Sequence, residues 1–201
     1  MEYSKYKEST MKLSTFALPL FAALALGLAG CSPQDSANKA APAATANPYE
    51  TVAAQGRGFT VGAMMSAHTV YVLFDPQCPH CGRLWQASVP LHGKAKFVWI
   101  PISFGNPKSM PQGAALLTAA NPAELMAAHE TSLLAGTGGI AASSSVPAEL
   151  EQAIKKNTEL LNRLGADSVP YLVAKNQNTG AMVTHAGAMD TPELATLLGI
   201  R

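Results

Sequence analysis

The sequence has few charged residues, and their signs nearly balance. Charged residues make up 13% of the 201 positions, against a usual share of ~25%, and the formal net charge is +1. A chain this close to neutral lacks the basic footprint of a nucleic-acid-binding protein, so we expect no nucleic-acid partner. Hydrophobic residues make up 48% of the positions, a share that excludes disorder along the whole chain.

Cysteine is scarce as well. The three cysteines are Cys31, Cys78 and Cys81. They are too few for a scaffold that disulfides hold together, so the folded part must rely on a hydrophobic core.

An apolar run lies near the N-terminus. Residues 16–30, FALPLFAALALGLAG, carry no charge and follow a segment that contains lysines. A basic start before a short apolar run is typical of a secretory signal peptide, and the run is shorter than the ~20 residues of a membrane-spanning helix. We therefore expect a signal peptide over residues 1–30. Met11 is an alternative start, because the segment from Met11 onward is a compact signal by itself.

The run ends in the four residues LAGC, 28–31, which resemble the lipobox of bacterial lipoproteins. In those proteins the cysteine receives the lipid and becomes the first residue after cleavage. We therefore expect lipidation at Cys31 and a protein held in the periplasm by a lipid anchor in a membrane. The next residue is Ser32 rather than the aspartate that favours the inner membrane, so the outer membrane is favoured.

A flexible linker is predicted over residues 31–48. From residue 32 onward this segment is rich in alanine, proline, serine and asparagine, and it has no aromatic residue. Such a segment buries too little surface to offset the entropy of ordering it. We expect it to hold a single folded domain, residues 49–201, away from the membrane.

Strand and helix patterns alternate in this domain. Apolar runs predict strands at 69–74 and 96–102, an edge strand at 58–61 and a hairpin of 171–174 with 181–185. Helices are predicted over 79–91 and 147–164, and from Ser109, Asn121 and Thr191 onward. Ser109 is expected to form a capping box with Gln112, and Thr191 is expected to cap the last helix. This element order predicts an α/β fold with a mixed sheet.

The sequence Cys78-Pro79-His80-Cys81 follows a buried strand and opens a helix. Unpaired N–H groups and the positive end of the helix dipole would stabilise a thiolate on Cys78, while Cys81 would be shielded in the first turn. This predicts Cys78 as the exposed nucleophile of low pKa and Cys81 as the resolving thiol. Pro79 suits the first helical position, where no N–H is needed. A protonated His80 would stabilise the thiolate and make the pair more oxidising.

Other uses of such a pair fit the sequence less well. A c-type haem site needs C-x-x-C-H, and Gly82 follows Cys81. A zinc site needs two more ligands, whereas the other histidines stand alone, at His68, His92, His129 and His185. We therefore expect no metal site. A structural disulfide between Cys78 and Cys81 remains an alternative, although such bridges are rare at strand-to-helix junctions.

Two segments together resemble the DsbC/DsbG family of periplasmic thiol:disulfide interchange proteins, and its DsbG members most. They are FDPQCPHC at 74–81 and LGADSVPYLV at 164–173. The resemblance implies a thioredoxin-like fold with a helical insertion, Cys78 as nucleophile and Cys81 as resolving cysteine. It also implies a cis bond between Val169 and Pro170 at the substrate-binding surface. Without the resemblance, this proline is typical of an ordinary trans residue at a strand start.

The resemblance also bears on cofactors, partners and Asp75. It implies no cofactor other than a redox-active Cys78–Cys81 disulfide. The implied partners are protein substrates with cysteines or disulfides, and a membrane thiol reductase or oxidase. Asp75 matches the D-P-x-C motif of the family, where it would cap the helix or assist proton transfer at Cys81. Of these two roles we prefer capping.

The sequence departs from the family in two ways. The relatives carry an N-terminal dimerisation domain, which the short segment 31–48 cannot supply, so we expect a monomer and doubt a strong isomerase activity. The relatives also usually have threonine where this chain has Val169, so its substrate preference is expected to differ.

These observations predict an enzyme, a periplasmic protein thiol:disulfide oxidoreductase that acts through a mixed disulfide at Cys78 as a reductase or an oxidant. The alternative is a copper-handling or cytochrome-maturation accessory protein that uses the same two thiols. Copper(I) favours soft thiolate ligands, so the pair by itself is compatible with both.

Overall fold

The computed structural model describes residues 47–201. The predicted signal peptide, the predicted lipidation site Cys31 and the predicted linker as far as residue 46 lie outside the described residues. Within residues 47–201, no helix combines the length and the apolar character that crossing a membrane requires.

Six α-helices, one 3-10 turn and five strands make up the described part of the chain. In chain order they are α1 Pro48–Gln55, β1 Phe59–Gly62, β2 Thr69–Phe74, α2 Pro79–Ser88, the 3-10 turn Val89–Leu91, β3 Lys96–Pro101, α3 Ser109–Leu117, α4 Pro122–Leu134, α5 Ala148–Arg163, β4 Tyr171–Lys175, β5 Met182–Ala186 and α6 Thr191–Leu198.

The strands form one mixed sheet in the order β1-β3-β2-β4-β5. Strands β2 and β3 are parallel, with α2 between them in the chain, and the other three neighbouring pairs are antiparallel. Strand β2 lies at the centre because its sequence TVYVLF is apolar on both faces, and Val72, Leu73 and Phe74 are fully buried. The predicted α/β class with a mixed sheet is confirmed.

Helices cover both faces of the sheet. On one face, Phe74 and Trp99 pack edge to face, with ring centroids 5.5 Å apart, in a cluster with residues of α2, α4 and α6. On the other face, Leu73 and Ile100 pack against α1 and α5. The end of β2 is therefore held from both sides, which fixes the point where α2 begins.

Helix α1 is an element that the sequence analysis did not predict. It begins at Pro48, the last residue of the predicted linker, and the side chain of Asn47 accepts a hydrogen bond from the N–H of Tyr49. Val52 is its only buried residue, and the ring of Tyr49 packs on Tyr71 at 5.2 Å. A helix with so little apolar periodicity gives almost no signal in the sequence.

Two predicted caps are wrong. The N-cap position of α3 is Lys108 without a side-chain cap, because the Ser109 hydroxyl donates instead to the carboxylate of Asp75. Gln112 donates to the carbonyl oxygens of two residues in the loop after α4, at 2.9 Å each. The last helix is capped by Asp190, one residue before Thr191, in a complete capping box with Glu193.

Candidate active site

The end of β2 and the start of α2 place the two thiols. Strand β2 ends at Phe74, three residues turn the chain, and Cys78 occupies the N-cap position of α2. Pro79 follows at the first helical position, as predicted from its missing N–H. The side chain of Cys78 makes no capping bond, and its N-cap position places it at the positive end of the helix dipole.

The two thiols differ in exposure. Both are free, Cys78 is half-buried, and Cys81 has no exposed surface. The Cys78 thiol lies 3.6 Å from the carbonyl oxygen of Val169, to which it donates a hydrogen bond. An outside reactant can therefore reach the sulfur of Cys78, whereas Cys81 can react only with a group already bound there.

Their pKa values move in opposite directions. The Cys81 thiol donates a hydrogen bond to the Cys78 thiolate, and the N–H groups of Cys81 and His80 assist, so the pKa of Cys78 falls to about 6 although partial burial opposes the shift. For Cys81, burial is the largest cause of the pKa shift, and the hydrogen bond to Cys78 and the negative charge of Cys78 add to it. Together they raise the pKa of Cys81 well above its ordinary value. At neutral pH the thiolate is on Cys78 and the proton is on Cys81.

His80 is exposed and is not oriented by the sulfurs. Its Nδ1 lies 2.7 Å from a guanidinium nitrogen of Arg83. Arginine can only donate, so Nδ1 accepts and the ring proton lies on Nε2. A positive charge on His80 is the smallest of the causes that lower the pKa of Cys78. The Cys81 thiol and the backbone N–H groups account for that shift.

Val169 and Pro170 lie opposite Cys78. The bond between them is cis, as the family resemblance implied. The residues alone, without that resemblance, favoured a trans bond. No described residue hydrogen-bonds the N–H of Val169, and its carbonyl oxygen accepts only the Cys78 thiol. The N–H of Val169 is thus unpaired at the mouth of the site, and its carbonyl oxygen becomes available when Cys78 loses its proton. An open cleft beside them is lined by Asp75, Gln77, Cys78, Phe104, Asn106 and Val169.

Asp75 does not cap α2, so the preferred role for it is wrong. Its buried carboxylate accepts hydrogen bonds from the N–H of Gln77 and the N–H of Phe104, both at 2.8 Å, and from the hydroxyl of Ser109. The first of these bonds shapes the turn before Cys78. The other two fasten the chain after β3, and with it the half-exposed ring of Phe104, to the edge of the site.

Two residues of α4 that the sequence analysis did not select lie beneath the motif. The ring of His129 is buried between the carbonyl oxygen of Pro76, 2.7 Å from Nε2, and the N–H of Ile140, 3.2 Å from Nδ1, and burial lowers its pKa. The carboxyl group of Glu130 is buried beside Gly82. A signal was present in the sequence, since Met126, Glu130 and Leu133 share one helix face and a glutamate on an apolar face is unusual.

The described residues contain no cluster of three or more histidine, cysteine, aspartate or glutamate side chains arranged to hold a metal ion.

The rate of Cys78 alkylation is expected to rise with pH along a titration curve centred near pH 6. The thiolate is the reactive form, and the pKa of Cys78 is lowered to about 6, so the thiolate fraction grows as pH passes through this value. Initial rates with iodoacetamide between pH 4 and pH 9, followed by mass spectrometry, measure the curve. A midpoint near the ~8.5 of a free cysteine would contradict it.

No known family profile matches the sequence. Among curated proteins, the chain is similar to the thiol:disulfide interchange protein DsbG of Pseudomonas aeruginosa, with 29% identity over 142 residues, which are 70% of this chain and 54% of the relative. It is 28% identical over 134 residues to DsbG of Escherichia coli, covering 65% of this chain and 52% of that protein. The chain therefore spans about half the length of the curated relatives that it matches.

Solved structures with the same fold share little sequence with the chain. A periplasmic thioredoxin-like protein from Salmonella enterica serovar Typhimurium has a TM-score of 0.60 at 15% identity, over 76% of this chain and 94% of that one. The catalytic domain of Proteus mirabilis ScsC has a TM-score of 0.57 at 16% identity, over 75% and 96%. The resemblance to DsbG and the thioredoxin-like fold are thus both confirmed.

Proposed function

We propose that this protein is a periplasmic thiol:disulfide oxidoreductase that exchanges disulfides with protein substrates through a mixed disulfide at Cys78. The observation that carries the proposal is the asymmetry of the pair. The half-buried Cys78 has a pKa of about 6, and the fully buried Cys81 has a raised one. The similarity to DsbG, a thiol:disulfide interchange protein, supports the same chemistry.

The reaction has two steps. The Cys78 thiolate attacks one sulfur of a substrate disulfide, which forms the mixed disulfide and releases the other substrate sulfur as a thiolate. The Cys81 sulfur then loses its proton and attacks Cys78, so the Cys78–Cys81 disulfide forms and the second substrate thiolate leaves. Two electrons pass from the cysteine pair to the substrate. Run in reverse, the same steps oxidise a substrate dithiol.

The low pKa of Cys78 favours the direction of exchange in which the protein oxidises its substrate. A thiolate that hydrogen bonds stabilise in the folded protein favours the reduced pair over the disulfide, and so raises the reduction potential. In this couple, about 30 mV corresponds to about 1.4 kcal/mol. A membrane thiol reductase or oxidase would reset the pair after each turnover.

Substrates are expected to bind as an extended segment across Val169. The free N–H and the carbonyl oxygen of this residue lie opposite Cys78 and can pair with a substrate backbone as one strand pairs with another. Main-chain pairing carries little sequence preference. The exposed face of Phe104 adds an apolar surface beside the reacting sulfur.

The proposed location of the protein is the periplasmic side of a membrane. Lipid on Cys31 would anchor the protein to a membrane, with the outer membrane favoured, and residues 32–46 would separate the anchor from the folded domain. A domain held in this way would act as a monomer on proteins that pass through the periplasm.

Insulin reduction by dithiothreitol is expected to accelerate in the presence of the protein, and the acceleration should be lost in Cys78→Ser. The variant keeps the size of the side chain but lacks the nucleophile, so only the uncatalysed reaction remains. The turbidity of precipitating insulin chains measures the rate, and Cys31→Ser serves as a matched cysteine control that should keep full activity. A wild-type rate equal to background, together with stoichiometric copper(I) binding by the reduced pair, would contradict the proposal in favour of metal handling.

A further inference from the structure

Glu130 is a buried acid without a visible structural role. Its side chain is 1% exposed, and neither carboxyl oxygen has a hydrogen-bond partner among the described residues. The ion pairs within residues 47–201 involve other glutamates, at the surface. Burying an unpaired carboxyl group is costly, and nearly all buried polar groups in folded proteins have partners. Its place in the fold therefore points to a use other than stability.

The carboxyl group lies against the active-site helix. Helix α4 packs on α2 at Gly82, the residue after Cys81, and a Cβ atom at position 82 would lie 2.6 Å from Oε2 of Glu130. The next nearest atom, Cγ of Leu134, would lie 3.1 Å away. Glycine at position 82 thus makes the space that the carboxyl group occupies, and the adjacent residue Cys81 is buried as well.

Few titratable groups share this space. On α2 they are the thiols of Cys78 and Cys81, and the charge of Glu130 contributes to the raised pKa of Cys81. The Asp75 carboxylate is occupied by its three donors. The neighbouring His129 directs its ring to the backbone of Pro76 and Ile140. The thiols are therefore the groups with which Glu130 can exchange a proton.

We infer that Glu130 is the proton acceptor for Cys81 in the second step of exchange. This inference rests on the proposed function and deepens it. As the Cys81 sulfur attacks the mixed disulfide, its proton passes to the carboxylate of Glu130. The bond between Cys78 and the substrate sulfur breaks, and its electron pair leaves with the substrate thiolate. In the reverse direction, the carboxyl group of Glu130 returns the proton to the Cys81 sulfur as the internal disulfide opens.

The charge of the site, and with it the pKa of Glu130, changes between the two steps of exchange. Burial raises the pKa of Glu130 to about 8, and the negative charge of the Cys78 thiolate adds to the effect. In the mixed disulfide Cys78 carries no charge, so this second contribution disappears and the carboxylate becomes easier to form at the step that needs a base. When the pair is reduced, the thiolate returns and Glu130 binds its proton again.

A single-turnover reaction with 5,5′-dithiobis(2-nitrobenzoic acid) separates the two steps. Cys78 releases a first equivalent of the coloured thiolate, and Cys81 releases the second by resolving the mixed disulfide. In the wild type, the rate of the second phase is expected to rise with pH as Glu130 ionises. In Glu130→Gln, which keeps size and shape, this inflection should vanish and the second phase at pH 7 should slow by about 10²-fold, the lower range for acid–base catalysis. The first phase should change little.

Two further variants make the test specific. Gly82→Ala places a methyl group 2.6 Å from the present position of Oε2, so the carboxyl group must shift and the second phase should also slow although Glu130 is present. Glu159→Gln, an exposed glutamate of α5, should match the wild type in both phases. If Glu130→Gln does not fold, Gly82→Ala carries the kinetic test. An infrared band of a protonated carboxyl group that titrates at lower pH in the oxidised than in the reduced wild type, because the charge of the Cys78 thiolate is then absent, provides an independent test.

The outcomes are distinct. If Glu130→Gln or Gly82→Ala keeps the wild-type pH profile of the second phase, or if the infrared spectrum shows no redox-linked carboxyl group, the inference is overturned and the proposed function stands. If the first phase is itself absent, or persists in Cys78→Ser, the proposed function fails.

Discussion

Replacing Cys81 with alanine is expected to leave the protein covalently attached to its substrates. The attack by Cys78 is retained, because that sulfur remains half-buried at the N-terminus of α2, where the backbone N–H groups still favour its thiolate. The second step is lost, since residues 47–201 contain no other thiol that could take the place of Cys81. Non-reducing electrophoresis of whole-cell extracts should show a ladder of adducts that collapses on reduction.

The matched variant Cys78→Ala should give no adducts and no exchange. Its remaining thiol, Cys81, has no exposed surface and a raised pKa. The Cys81→Ala variant itself also loses the thiol that donates to Cys78, so the pKa of Cys78 should move upward toward its ordinary value. Adduct formation should therefore be slower than the first attack of the wild type, but not absent. A Cys81→Ala variant that forms no adducts, or a Cys78→Ala variant that does, would show that the roles are not those proposed.

The sequence was most informative where short-range patterns determine the structure. The run of residues 69–74 is long, apolar on both faces and followed by a helix-starting proline, so both the central strand and the start of α2 could be predicted. The hairpin of β4 and β5 has a polar turn between two apolar runs, which is also a local signal. Helix α1 gave no such signal, because only Val52 is buried along its length.

The parts of the site that the sequence did not reveal depend on long-range contacts. Asp75 was predicted to cap the helix beside it, but two of its three donors come from Phe104 and Ser109, which are 29 and 34 residues away. Glu130 is buried because Gly82, on another helix, leaves room for it. These contacts join residues that are far apart in the chain and follow no regular spacing, so a single sequence does not predict them. The C-x-x-C motif, by contrast, places both of its cysteines within four residues of one helix start.

The hydrogen bonds of Asp75 lead to the second prediction of large effect, a loss of stability in Asp75→Ala. Removal of the carboxylate leaves the N–H groups of Gln77 and Phe104 and the hydroxyl of Ser109 without their acceptor. Only the bond from the Ser109 hydroxyl is fully buried, and an unsatisfied buried donor costs about 1–3 kcal/mol, so a loss of about 1–3 kcal/mol in the free energy of unfolding is expected. Urea denaturation of the reduced protein measures this loss.

Asp75→Asn is a milder change, because it keeps one oxygen acceptor while placing an N–H₂ group against a remaining donor. It should also lower the free energy of unfolding, but by less than Asp75→Ala. Asp167→Ala, an exposed aspartate in the loop before β4, is the matched control and should stay within about 0.5 kcal/mol of the wild type. The same bonds hold Phe104 at the cleft beside Cys78, so Asp75→Ala should also raise the KM for insulin more than it lowers kcat. An Asp75→Ala variant as stable as Asp167→Ala would mean that water replaces the lost acceptor, and the carboxylate would then not be what fastens this edge of the site.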